Sequence, residues 1–232
     1  MILAANLKTN LTRKETQAYI LHVEEFLKAN KSQNDVIVFP ATSSLLSHKG
    51  KLKVGVQNAY PVKSGAFTGE IGLVHVQEFG INTILIGHSE RRHILGETQE
   101  ELVTKFNYFK ALGFQIVYCV GEPLHVREAG EEKLLSYIDA QFQGIDLEYE
   151  NLIIAYEPVW AIGTGLTPTM DEISALHLKL KEKTTKPILY GGSVKVESAK
   201  DILALEGVDG VLVGSAALKV DDFCKMIQYE QN

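Results

Sequence analysis

Cysteine is scarce: Cys119 and Cys224 are the only two in 232 residues. That excludes a disulfide framework and fits a reducing compartment; both thiols are expected to be buried as small hydrophobes. Positive charge is short as well. The 23 Lys and Arg stand against 29 Asp and Glu, giving a net charge of −6 and a pI near 5.7, which is not the footprint of a nucleic-acid partner. An anionic ligand would have to be held by local donors, not by the overall field. No apolar run reaches the ~18 residues of a membrane helix, and Met1 to Lys8 lacks the basic start and long apolar stretch of a signal peptide. A cytoplasmic protein without membrane contact is expected. The histidines His22, His48, His75, His88, His93, His125 and His177 do not cluster at ligand spacing, so no metal is expected. Neither Ser89 nor Ser193 lies in a Gly-x-Ser-x-Gly elbow, which argues against a serine hydrolase. No Gly-x-Gly-x-x-Gly follows the first apolar run, which weakens a dinucleotide-binding reading.

What is present is a regular alternation. Eight short apolar runs occur at Ile2 to Ala5, Val36 to Phe39, Val54 to Gln57, Thr83 to Ile86, Ile116 to Val120, Leu152 to Tyr156, Ile188 to Tyr190 and Val211 to Val213. They are continuously apolar, not alternating, as in strands of a parallel sheet buried on both faces. Helical patterns lie between most of them. Thr12 with Glu15 and Thr169 with Glu172 form capping boxes, and Thr98 to Leu112 is amphipathic with Gly113 as its stop. Further helices are expected over Glu131 to Gln143, Glu197 to Leu205 and Asp221 to Tyr229. Eight strand–helix units in a chain of this length, with no break in composition, predict an α/β fold. The expected architecture is a single (β/α)8 TIM barrel domain over residues 1–232, eight parallel strands surrounded by helices.

In such barrels the chemistry sits at the C-terminal strand ends. The sixth run ends in a carboxylate, Glu157, and then Pro158. Proline fixes its own φ and pushes the residue before it to an extended conformation, so the strand stops there. Val159-Trp160-Ala161-Ile162 is apolar but too short for a helix, and Gly163-Thr164-Gly165 follows. A rigid start, an apolar middle and a glycine end describe a lid, and a carboxylate under an apolar lid is a candidate general base. The first run ends Asn6-Leu7-Lys8, the fourth Gly87-His88-Ser89-Glu90-Arg91-Arg92, the seventh Tyr190-Gly191-Gly192-Ser193 and the eighth Gly214-Ser215. A Lys, a His and a Glu therefore converge. The glycine-bearing ends favour a phosphate site, because backbone N–H groups without a Cβ in the way approach an anion closely.

These segments, with Tyr156-Glu157-Pro158-Val159-Trp160-Ala161-Ile162-Gly163-Thr164-Gly165 foremost, resemble the triosephosphate isomerase family in order and spacing over the whole chain. That family is itself the worked example of a Glu base, a neutral His electrophile and a closing loop, so these roles are implied by the resemblance. It implies an aldose–ketose isomerase of glycolysis and gluconeogenesis, interconverting dihydroxyacetone phosphate and D-glyceraldehyde 3-phosphate without a cofactor. Glu157 would remove the proton beside the carbonyl. His88 would serve the carbonyl oxygen, Lys8 and Asn6 would stabilise its charge, and Glu90 would tune the network. The phosphate would rest on Asn6, Lys8, Gly163, Ser193, Gly214 and Ser215, under a lid of Pro158, Val159, Trp160, Ala161, Ile162, Gly163 and Thr164. The stretch Tyr60 to Gly72 resembles the family's third loop, so a homodimer is implied, with Phe67 and Thr68 reaching the other protomer near its Asn6 and Lys8.

Several positions depart from the family pattern. Asn6 lacks the common preceding glycine, Leu7 replaces a tryptophan, Ser215 follows Gly214 where Gly or Asn is common, and Lys181 replaces an arginine. The last change would turn a bidentate pair with Asp209 into a point contact. The rival reading is a catalytically silent phosphate-binding protein on the same barrel. Against it, Asn6, Lys8, His88 and Glu157 are all intact.

Overall fold

The computed structural model describes residues 1–162 and 166–229. The apolar runs become β1 (Ile2–Asn6), β2 (Asp35–Phe39), β3 (Lys53–Val54), β4 (Thr83–Ile86), β5 (Gln115–Val120), β6 (Leu152–Tyr156), β7 (Ile188–Tyr190) and β8 (Gly210–Val213). All their pairings are parallel, in the order β3-β2-β1-β8-β7-β6-β5-β4. A parallel bridge from Val56 to Ile84 joins the two edges, so the sheet closes on itself. The expected barrel is present. β3 is shorter than the run from Val54 to Gln57 suggests. Gly55 lies against the Phe39 ring, where a Cβ would come within 2.4 Å. Beyond it the chain leaves β2 for β4, with the Val56 N–H donating to Thr83 and the Leu85 N–H returning to Val56, both at 2.9 Å.

Around the barrel run α1 (Arg13–Asn30), α2 (Leu73–Glu78), α3 (Ser89–His93), α4 (Gln99–Ala111), α5 (Leu124–Glu128), α6 (Glu131–Phe142), α7 (Met170–Lys181), α8 (Val196–Leu203) and α9 (Val220–Ile227). Complete capping boxes start α1 at Thr12, α4 at Thr98 and α7 at Thr169. Each satisfies backbone donors that a helix start leaves free. Among the described residues no helix is long and apolar enough to cross a membrane.

Strand periodicity divides the core in two. Ala4, Ile37, Phe39, Leu85, Val117, Cys119, Ile153, Ala155, Leu189 and Leu212 fill the barrel interior. Their neighbours along each strand pack outward against the helices. Counting two residues on from the interior set reaches Asn6, Gly121, Glu157, Gly191 and Gly214. Because side chains on one strand face repeat every second residue, the interior register delivers these positions to the mouth of the barrel.

One buried carboxylate outside the mouth is structural. Glu24 of α1 accepts from the backbone N–H of Lys51 (2.9 Å) and Leu52 (3.2 Å), and contacts His48 Nε2 (3.1 Å) and Lys28 Nζ (3.3 Å). Burial alone would raise its pKa. The Lys51 and Leu52 N–H groups, His48 and Lys28 outweigh burial and hold it at about 2, below the ordinary value of 4.5. A depressed carboxylate contributes stability that is present above 4.5 and lost as pH falls towards about 2. Glu24→Gln is therefore expected to lower the urea midpoint at pH 7, and the difference from wild type should shrink below pH 3. A pH-independent difference would assign the effect to packing instead.

Candidate active site

β1 ends with Asn6, which is buried, and its Oδ1 accepts the Lys8 N–H at 3.0 Å. Lys8 has φ 51, in the left-handed region that non-glycine residues rarely enter. The Gln57 amide donates to the Lys8 carbonyl at 2.8 Å and to the Phe39 carbonyl at 3.0 Å. Such a conformation persists only where its surroundings impose it, and it is common at functional sites. Here it turns the lysine back over the barrel mouth. Its ammonium pairs with Glu90 Oε1 at 2.6 Å, and the Gly214 position lies beside it, with a Cβ there 3.5 Å from Lys8 Cε.

β4 leads through Gly87, at φ 76, to His88, which caps the N-terminus of α3. His88 Nδ1 lies 3.2 Å from the Glu90 N–H, which donates to it, so the ring proton sits on Nε2. Nε2 in turn donates to Glu157 Oε1 at 3.0 Å. The other Glu157 oxygen accepts the Ser89 N–H at 2.9 Å. Glu157 and His88 are both nearly inaccessible, with side-chain exposures of 3% and 8%. Burial by itself would raise the Glu157 pKa. The His88 ring, the Ser89 N–H and the Lys8 charge overcome it, and the carboxyl is held below its ordinary value. The site thus keeps an ionised carboxylate out of water. For His88, burial lowers the pKa, and the carboxylates of Glu157 and Glu90 more than offset it. The acceptor role of Nδ1 opposes protonation, so the neutral ring depends on which way Glu157 faces.

The barrel mouth also contains groups that the sequence did not single out. Glu122, wholly buried, accepts from Trp160 Nε1 at 2.9 Å and from the Tyr156 hydroxyl at 3.1 Å. Burial raises its pKa, although the Trp160 and Tyr156 hydrogen bonds act the other way. The start of the segment expected to form a lid is therefore tethered to the loop after β5. Val159–Ala161 forms one 3-10 turn, and the Val159 N–H donates to the Glu122 carbonyl at 3.1 Å. Gly191 and Gly192 have a steric role besides any part in anion binding. A Cβ at Gly191 would come 2.9 Å from Glu157 Cγ, and one at Gly192 would come 2.2 Å from the Tyr190 hydroxyl. That hydroxyl is buried and has no hydrogen-bond partner among the described residues.

Of the expected site residues, Asn6, Lys8, His88, Glu90 and Glu157 converge through the contacts above. Gly214 adjoins Lys8, and Ser215 opens a 3-10 turn spanning Ser215–Leu218. Ser193 follows Gly192 on the loop after β7. Gly163 and Thr164 lie outside the described residues. Lys181 does reach Asp209 through a single contact of 2.6 Å, and Asp209 Oδ2 also accepts the Ile188 N–H at 2.6 Å. Among the described residues no group of three or more His, Cys, Asp or Glu side chains could hold a metal ion.

The family described as triosephosphate isomerase matches residues 1–230. The chain belongs to the triosephosphate isomerase family. Relatives named triosephosphate isomerase include one from Sulfurimonas denitrificans, 64% identical over 100% of this chain and 97% of its own length. Another, from Sulfurovum sp., is 54% identical over 98% of this chain and 99% of its own. A third, from Wolinella succinogenes, is 51% identical, also over 98% and 99%. Triosephosphate isomerase family membership over nearly the full length leaves no part of the barrel mouth outside the comparison.

Proposed function

We propose that the chain is an aldose–ketose isomerase that interconverts dihydroxyacetone phosphate and D-glyceraldehyde 3-phosphate through an enediolate, residues 1–232 serving as one barrel domain. The observation that carries this is the ionised, buried Glu157 in contact with His88 Nε2, at the same mouth as Lys8. The reaction is internal to the substrate. A proton leaves one carbon and returns to its neighbour, so no electron acceptor is consumed. Glu157 takes that proton. His88, proton on Nε2, donates to the carbonyl oxygen as it gains charge, and Lys8 and Asn6 stabilise the same oxygen. Donors preorganised in a dry site act most strongly where charge develops. The silent phosphate-binding alternative is disfavoured by the named relatives and by the intact set of reacting groups.

The arrangement described is a resting one. Glu157 must leave the Ser89 N–H to reach a substrate carbon, and that turn removes the carboxylate that favours protonated His88. Burial then dominates and keeps the ring neutral. Lys8 is masked by Glu90 until an anionic substrate competes for it. The phosphate is assigned to the N–H groups of Gly163, Ser193, Gly214 and Ser215, and Glu90 to adjusting Lys8 and His88. The lid, from Pro158 to Thr164, excludes water that would otherwise let the enediolate expel its phosphate.

The test is isotopic. Either triose phosphate is incubated with the protein in heavy water until the two forms equilibrate, and proton NMR follows the carbon beside the carbonyl. Repeated proton abstraction should replace that hydrogen by deuterium. Isomerisation without any deuterium after many turnovers would mean a hydride shift and no carboxylate base.

A homodimer in the cytoplasm is part of the same reading. Support comes from Phe67, 41% exposed and packed against Tyr60 in a tilted pair with ring centroids 4.6 Å apart. Ile94 and Leu95, at 76% and 65% exposure, border a cleft of about 1110 Å³ that also reaches Lys8. A second copy's Phe67–Thr68 loop would cover that apolar rim. Sedimentation equilibrium should give a dimer for wild type and a shift to monomer, with lower kcat/KM, for Phe67→Asp. A monomeric wild type at full activity would overturn this part.

A further inference from the structure

Arg92, four residues after His88, sits in the last turn of α3 and has no part in the chemistry above. Its guanidinium makes four hydrogen bonds, all to uncharged acceptors. Nε donates to the Gly87 carbonyl at 2.8 Å, one terminal nitrogen to Gln99 Oε1 at 2.9 Å, and the other to the Tyr118 hydroxyl at 2.9 Å and the Cys119 carbonyl at 3.1 Å. It also lies over the Tyr118 ring, 5.4 Å from its centroid. We propose that Arg92 is a positioning residue for His88, its planar fork fixing the Gly87–His88 peptide against the end of β5. The inference rests on the isomerase reading.

The geometry makes the coupling direct. The Gly87 carbonyl and the His88 nitrogen belong to one planar peptide unit, so holding that oxygen orients the backbone that carries the imidazole. Gly87 is left-handed, and a Cβ there would come 2.8 Å from the Arg92 guanidinium, so the chain is shaped to let the two meet. On the far side, the Cys119 carbonyl belongs to β5, which leads to Gly121, whose neighbour at the end of the adjacent β6 is Glu157. The Tyr118 hydroxyl that accepts from Arg92 donates to the Gln141 carbonyl at 2.7 Å. The Gln141 side chain closes on Gly121 from both sides, accepting its N–H and donating to its carbonyl, each at 2.9 Å. Arg92 thus ties the peptide before His88 to a strand end that is itself braced. An ammonium is a point donor and cannot reach acceptors in these separated directions, whereas the guanidinium fork does so in one plane.

Arg92→Lys keeps the charge and removes the fork. It is expected to lower kcat by about 10- to 100-fold with little change in KM, since a misplacement near 1 Å can cost about 10²-fold. The deciding measurement is a double-mutant cycle with His88→Gln, where there is no imidazole left to place. Arg92→Lys should then have almost no further effect on kcat. An equal loss in both backgrounds would show that Arg92 acts elsewhere, and unchanged kcat in folded Arg92→Lys would overturn the proposal. Tyr118→Phe, which keeps the ring and removes one acceptor, carries the same cycle should Arg92→Lys not fold. Its effect should also vanish in the His88→Gln background, and persistence would count against the proposal. Turnover by wild type separates the two claims: with it, failure of the cycle removes only the role of Arg92, and without it the isomerase reading falls too.

Discussion

Glu157→Gln is expected to lower kcat by roughly 10²–10⁴-fold, the usual contribution of a positioned base. The amide matches the carboxylate in shape, but its oxygen can accept from only one of the two donors, the His88 Nε2–H and the Ser89 N–H, now 3.0 and 2.9 Å away. It cannot accept a proton from carbon. Stability should fall modestly, because burial offsets only part of what the partners contribute to the charged form, and one buried donor is left facing the amide NH2. Glu157→Asp separates position from chemistry. It retains the base and withdraws it by ~1 Å, which should cost about 10²-fold in turnover. Single-turnover kinetics on both variants, beside a urea unfolding curve for each, checks the pair of expectations. Wild-type turnover by either variant would remove Glu157 from the role of base.

Gly121→Ala should be the most damaging small substitution in the barrel mouth. A Cβ at Gly121 would lie 1.8 Å from the Glu157 carbonyl oxygen and 2.6 Å from its carbon. These are backbone atoms, which cannot turn away as a flexible side chain would. The strand ends must part instead, against the Glu157 N–H bond to the Val120 carbonyl at 2.8 Å and the Gln141 clamp on Gly121. Overpacking typically costs ~1–3 kcal/mol and more where the surroundings cannot relax; a loss of about 3 kcal/mol is expected. For a chain of this size that corresponds to a fall in Tm of roughly 6–12 °C. Activity should fall as well, because Glu157 and the Glu122 tether both move. Calorimetry with a parallel assay reads both effects. An unchanged Tm would mean that β5 and β6 do not approach so closely at their ends.

The parts legible in the sequence are those encoded by local pattern. Continuous apolar runs gave strands whose limits agree with the structure within a residue or two at seven of the eight, and Thr12 and Thr169 fixed helix starts by capping chemistry that needs only four consecutive residues. Glu157, His88 and Lys8 were legible because each stands at a strand end, where a barrel gathers its chemistry. β3 was not, because its length depends on how Gly55 meets Phe39 across the sheet. Contacts between distant segments were hidden for the same reason. Glu122 meets Trp160 thirty-eight residues away, and Glu157 takes the N–H of Ser89 sixty-eight residues away. The only local signal for Glu122 was its place after Gly121 at a strand end. Arg92 reads as one of two adjacent basic residues at the end of the fourth strand segment, and nothing nearby in the sequence distinguishes it from Arg91. Their structural roles do differ: Arg91 pairs with Glu97, while Arg92 turns to the carbonyls behind His88.

The most direct test of the account is a coupled assay of the wild-type protein with D-glyceraldehyde 3-phosphate. An auxiliary dehydrogenase consumes dihydroxyacetone phosphate as it forms, and loss of the reduced nicotinamide gives the rate. The account predicts saturable turnover with kcat at or above the usual enzymatic range of roughly 1–10³ s⁻¹. No turnover from a folded wild-type protein would contradict it, and would return the silent phosphate-binding reading.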